Sequence, residues 1–141
     1  MSFGWSAGDI VAAIQLVVKL AQSLEDSTGS SSQYREVIRE LYALEKALVD
    51  AKNLQLEAEQ HHKQVALFGA ALQCRETIDE FMQKIGKYQP ALRQGGSGSW
   101  VKDALRKMQW SLCIQKDVDV FRASLNAHTS AIGIMLQAIQ M

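Results

Sequence analysis

The stretch MSFGWSAGDIVAAIQLVVKLAQSL (Met1–Leu24) decides how the rest of the chain is read. Between Ile10 and Leu24 only Gln15, Lys19, Gln22 and Ser23 interrupt the apolar residues. A secretory signal would place positive charge before the apolar run and small residues at a cleavage site after it. Here the flank is SFGWSAGD and Lys19 lies inside the run, so that reading fails. Ser6 and Asp9 stand in S-x-x-D spacing, which offers acceptors to the free N–H groups of a helix start and a carboxylate to its dipole. Gln15, Lys19, Gln22 and Asp26 step by four, three and four, forming one narrow polar stripe on a helix that is otherwise apolar. Such a helix is surrounded by protein or by lipid.

Length separates these two surroundings. From Ile10 to Leu24 a helix reaches about 22 Å, short of a roughly 30 Å hydrocarbon core; from Phe3 it reaches about 33 Å but then includes Asp9 and Lys19. About nine large apolar side chains contribute about −4 kcal/mol to insertion, against about +2.5 to +3.5 for each central charge, reduced by snorkelling. A lone helix is near break-even. Insertion therefore requires an assembly in which the Gln15/Lys19/Gln22 stripe faces a shared interior, and a packed helix is the resting state.

The remainder supplies partners for that helix. The chain has 141 residues, 48% of them hydrophobic and 21% charged, with a single proline, Pro90. That length is enough to bury about two-thirds of the unfolded surface and so to hold one core without staples. Lys+Arg and Asp+Glu are equal at 15 each, so no basic field points to nucleic acid. β-Branched residues form no alternating runs, leaving little from which to build strands. Punctuation at DSTGSSS, around Asn53–Glu57, at YQPALRQGGSGS and around Ser111–Gln115 divides the chain into helices at about 7–25, 32–53, 57–88, 99–111 and 115–140.

The second helix sets Tyr34, Val37, Ile38, Leu41, Leu44 and Leu48 on one face. The third carries Leu67, Ala71, Cys74, Ile78, Phe81, Ile85 and Tyr88 at alternating spacings of four and three, widened by Phe68 and Leu72. The fourth turns Val101, Ala104, Leu105 and Met108 inward. The last has a seam of Val118, Phe121, Leu125, His128, Ile132, Met135 and Ile139, and a second face of Ser124, Ala127, Ala131 and Ala138 that predicts a place near the middle of a bundle. The expected architecture is an all-α, up-and-down bundle of four to five helices with a hydrophobic N-terminal helix, one domain over 1–141 and the N-terminal part of a longer protein.

Candidate chemistry is sparse. Glu59 and His62 form one E-x-x-H, but a di-iron bundle needs a second, and the residue three before His128 is Leu125. His61 and His62 are adjacent and point about 100° apart on a helix. QGGSGSW lacks the Lys-Ser/Thr pair and the preceding strand of a phosphate loop. Cys74 reads as a small buried hydrophobe, Cys113 lies in the connection before the last helix with its exposure open, and both are expected to be reduced and intracellular. Trp5, Trp100 and Trp110 fit either bundle core or a lipid interface. His128 fits either a histidine satisfied by a neighbouring hydroxyl or carbonyl, or a protonation switch for membrane engagement at low pH. No catalytic residue, metal set, cofactor site or small-molecule substrate site is expected.

The segments SFGWSAGDIVAAIQLVVKLAQSL, GSSSQYREVIRELYALEKAL and WVKDALRKMQWSLCIQKDVDVFRASLNAHTSAIGIML resemble the N-terminal helical domains of fungal multidomain proteins, where they precede NACHT or NB-ARC nucleotide-binding modules, ubiquitin-like domains or other tails. These domains are similar to the HeLo and HeLo-like group and, more distantly, to the four-helix bundle of the mixed-lineage kinase domain-like executioner. The resemblance implies a cytoplasmic cell-death effector that an upstream sensor oligomerises, after which the N-terminal helix engages membranes. Its apolar residues Ile10, Val11, Ile14, Leu16, Val17, Val18 and Leu20 would do so. The alternative is a helical adaptor that binds its own copies or another helical domain without membrane activity.

Overall fold

The computed structural model describes residues 7–28, 32–54, 61–89 and 109–140. They form four long helices, α1 (Ala7–Thr28), α2 (Ser32–Lys52), α3 (His61–Tyr88) and α4 (Gln115–Gln140), with a 3₁₀ turn at Trp110–Leu112 before α4. Among the described residues there is no strand, and the fold is the expected all-α bundle. α1 runs three residues beyond the expected Glu25.

Each apolar seam supplies the core. Ile10, Ala13, Val17, Leu20, Ala21 and Leu24 of α1 are fully buried, stepping by three and four as an amphipathic helix requires. Against them lie Tyr34, Val37, Leu41, Leu44 and Leu48 of α2, Leu67, Ala71, Cys74, Ile78, Phe81 and Ile85 of α3, and Val118, Phe121, Leu125, Ile132 and Ile139 of α4, in one continuous cluster.

α1 packs on α2 and α3, and α4 packs on the same two helices, so α1 and α4 occupy opposite corners of the bundle. Chain direction alternates, yet the link from α2 to α3 crosses the diagonal. In consequence α1 lies parallel to its neighbour α3, with Asp9 near the start of α1 reaching Arg75 at 3.7 Å. α2 lies parallel to α4, tied by Arg122 to Glu40 at 2.8 Å. The last turns of α1 and α3 and the first turns of α2 and α4 therefore meet at one end of the molecule.

Two expectations need correction. Gln109 is extended, at φ −103° and ψ 92°, and Trp110–Leu112 is a 3₁₀ turn, so the expected helix over 99–111 does not reach its expected end; residues 99–108, with Val101, Ala104, Leu105 and Met108, lie outside the described residues. The small-residue face of α4 is not a second contact face either. Ala127, Ala131 and Ala138 are exposed, because α4 sits at a corner and spends its seam on α2 and α3.

Candidate functional site

The proposed membrane-facing helix is, in this structure, committed to the core. Ile10, Val17 and Leu20 have no exposure; Val11, Ile14 and Leu16 are half-buried and pack against the core; Val18 is half-buried. On the outer side Gln15 and Gln22 are exposed and Lys19 half-buried, so the polar stripe faces water. Each fully buried large aliphatic contributes about 1.5–3 kcal/mol, and α1 has four of them, Ile10, Val17, Leu20 and Leu24. Withdrawing α1 from a lone copy would forfeit roughly 6–12 kcal/mol, comparable with the entire stability of a domain. Among the described residues, no helix is long and apolar enough to cross a membrane.

The C-terminal end of α1 is held by an aromatic clamp. Trp110, 2% exposed, donates its indole N–H to Ser23 Oγ at 3.3 Å. Its carbonyl accepts the Tyr34 hydroxyl of α2, and the two rings meet edge-on at 5.7 Å. Its ring stacks on Phe81 of α3, which stacks in turn on Phe121 of α4 at 4.1 Å between centroids. Trp110 is thus core, and one side chain touches three helices. The strand-like Gln109 is fixed by Gln89, whose Oε1 accepts the Gln109 N–H at 3.0 Å while its Nε2 donates to the Gln109 carbonyl at 3.1 Å. Tyr88 completes the link by donating to Asp117 at 3.1 Å and accepting the Ile114 N–H at 3.2 Å.

These contacts shift the ionisable groups toward inert forms. Burial pushes the Cys74 thiol up to about 12 and the Cys113 thiol up to about 11, so neither is a thiolate near neutrality. Both are buried, which settles the exposure of Cys113. Burial also raises Tyr88 to about 12. His128 Nε2 lies 2.7 Å from Thr77 Oγ1, and burial lowers its pKa. It is therefore the histidine satisfied by a neighbouring hydroxyl, neutral at the interface of α3 and α4. His61 and His62 are exposed at the start of α3; Glu59 lies outside the described residues, as do Ser6, Trp5 and Trp100. Among the described residues no three of His, Cys, Asp and Glu gather as a metal-binding group. A groove between α3 and α4, lined by Thr77, Lys84, Asp117, Val120 and Ser124 among others, holds about 30 Å³, the space of one water.

The clamp is invisible to helical periodicity, because a 3₁₀ turn and an extended residue have none. The outer face of α4 has a sequence signal that bundle reasoning misassigned: residues 123–140 contain no Asp, Glu, Lys or Arg. In the structure this run leaves Ile134 66% exposed, with Val120 at 46% a little upstream. The exposed faces of the other helices are charged, through Glu25 and Asp26 on α1, Arg35, Arg39, Lys46 and Asp50 on α2, and Glu76, Glu80, Lys84 and Lys87 on α3.

Comparison with curated proteins and with solved structures finds no match in either set. Residues 8–141, which take in α1 from its second residue, the other three helices and the clamp, match the family model described as pigment biosynthesis cluster protein PigL N-terminal, and the chain belongs to that family.

Proposed function

We propose that this chain is a non-enzymatic N-terminal signalling module that acts by oligomerisation and, once assembled, by membrane engagement through α1. The carrying observation is the division of α1 into a buried apolar row, Ile10, Val17, Leu20 and Leu24, and an outer stripe of exposed Gln15 and Gln22 with half-buried Lys19. An assembly would enclose that stripe, and the burial on the other side keeps α1 in place until neighbours repay its loss. The resemblance to HeLo-like domains supports the same order of events. Its partners are copies of itself or another helical domain, joined by lipid on activation, with no nucleic acid, substrate or cofactor. Its location is cytoplasmic, with recruitment to membranes on activation. In a pigment biosynthesis cluster, from which the family takes its description, such a module would gather proteins rather than transform metabolites.

The second reading is an adaptor that associates without touching lipid, and it is favoured by the roughly 6–12 kcal/mol that holds α1 in the bundle. Vesicle leakage decides between them. Dye-loaded anionic vesicles should leak when the protein is fused to an inducible oligomeriser and stay sealed with the monomer. Val18→Glu, placed outside the fully buried row, should abolish the leakage while leaving the circular dichroism melt in place. Sealed vesicles with the forced oligomer would leave only the adaptor.

A further inference from the structure

The charges of the chain balance in number but not in place. Between Glu80 and Asp117 lie seven of its fifteen basic residues and, at Asp103, one of its fifteen acidic ones. Both ends of this run meet beside the clamp, because the Gln89 side chain holds the Gln109 backbone at the end of α3. Lys84 and Lys87 on the last turns of α3 and Lys116 on the first turn of α4 are exposed there, and among the described residues none of the three is held in an ion pair. Two large aliphatics protrude near them. Cys113 is extended, at φ −68° and ψ 135°, so Leu112 and Ile114 point away from its buried thiol, 57% and 51% exposed. Val120, 46% exposed, lines the groove between α3 and α4 together with Lys84 and continues the apolar strip. The acids that border this edge are Glu80, one turn down α3, Asp117, which accepts the Tyr88 hydroxyl, and Asp119, which accepts the Gln115 amide at 2.8 Å. Glu25 and Asp26 share this end of the molecule but stand on α1, at the corner opposite α4.

We propose that this α3–α4 edge is the face by which the folded bundle docks on an anionic lipid bilayer, with Lys84, Lys87 and Lys116 on the headgroups and Leu112 and Ile114 in the acyl boundary beneath them. Cations around protruding aliphatics match a surface that is negative outside and apolar just below. A soluble polyanion would engage the lysines but leave Leu112 and Ile114 in water. The proposal rests on the membrane half of the function proposed above and names its first contact, which does not require α1 to leave the bundle. Each lysine beside an anionic surface raises partition roughly fivefold, so one copy binds weakly. Copies joined in an assembly bind through several such edges at once, and their affinities multiply. The acidic end of α1 is meanwhile repelled by the same surface, which keeps that corner of a lone bundle tilted away from the lipid.

Co-sedimentation of the monomeric chain with vesicles tests the face. Vesicles of phosphatidylcholine with phosphatidylserine should carry the protein down and those of phosphatidylcholine alone should not, with binding that weakens as salt is raised. Lys84→Gln combined with Lys87→Gln should lower the partition by about tenfold or more. Leu112→Ser combined with Ile114→Ser should also lower it about tenfold, and because all four residues are exposed both double variants should keep the melting temperature. An environment-sensitive dye on Ile114→Cys, with the two native cysteines buried, should shift to the blue on the serine-containing vesicles. Equal binding to both vesicle types, binding that tolerates either double variant, or polyglutamate binding without any vesicle binding overturns the proposal, the last in favour of an acidic protein partner. Leakage by the forced oligomer reports separately on α1. Docking without leakage leaves this edge standing and removes the α1 step, whereas leakage undiminished in both double variants removes this edge and leaves α1.

Discussion

α1 and α4 carry comparable apolar runs and use them in opposite ways. In α1 the apolar residues go inward, and what remains outside is a polar stripe. In α4 the seam also goes inward, but from residue 123 to residue 140 the outside is alanine and isoleucine with Asn126, Ser130 and Gln137, and carries no Asp, Glu, Lys or Arg. Both helices have two neighbours in the bundle, so the number of contacts does not separate them. What differs is what the unpartnered side is made of. Hydrophobicity in a helix thus says little about whether it is available; the composition of its outer face does.

The sharpest way to break this comparison is to place a charge on each helix. Val17→Glu buries an isolated carboxylate at a site with no exposure, and urea denaturation should show a loss of about 4 kcal/mol or more. Ile134→Glu, on a residue 66% exposed, should change stability by less than about 0.5 kcal/mol. Equal losses would mean that α4's outer face is structural after all. Next in size is Trp110→Ala, which empties the clamp and should cost about 3–5 kcal/mol. Ser23→Ala removes the hydrogen bond between Trp110 and α1 and should cost about 1 kcal/mol, with faster amide exchange in the last turns of α1.

A third prediction concerns pH. Burial lowers the His128 pKa in the folded protein, so between that value and about 6.5 the unfolded chain binds more protons. Stability should therefore fall as pH drops through and below 6.5 and level off once the folded protein is protonated too. His128→Asn should flatten that part of the denaturation profile. The smallest effect is at Gly133, where a Cβ would meet nothing within 4 Å: Gly133→Ala should raise stability by about 0.4–1 kcal/mol in thermal melts.

Much of this architecture is legible in the chain. The seams of α2, α3 and α4 can be read directly from 3/4 spacing, since each is a repetition of one local rule, and so can the polar stripe of α1. Three features resist that reading, each for a physical reason. The diagonal link from α2 to α3 depends on which faces fit globally, which no single helix encodes. The Trp110 clamp rests on hydrogen bonds to Ser23, from Tyr34 and, through Gln109, with Gln89, residues far apart in sequence whose meeting leaves no periodic trace. The alanine face of α4 was expected to be packed because small residues permit close approach; the sequence shows permission, and the number of helices decides whether it is used.

The diagonal link has a consequence for how the molecule can be taken apart. α1 with α2, and α3 with α4, are each antiparallel pairs of neighbouring helices, and one covalent connection joins the pairs. Among the described residues the rest between them is side-chain packing, together with the clamp, the Arg75–Asp9 and Arg122–Glu40 ion pairs and the hydrogen bond from Asn126 to Glu40. A chain severed between Leu54 and His61 would yield two fragments, each a complete helical hairpin with one greasy side. Co-expressed, they should find each other and rebuild the bundle, and two intact chains could trade hairpins by the same route.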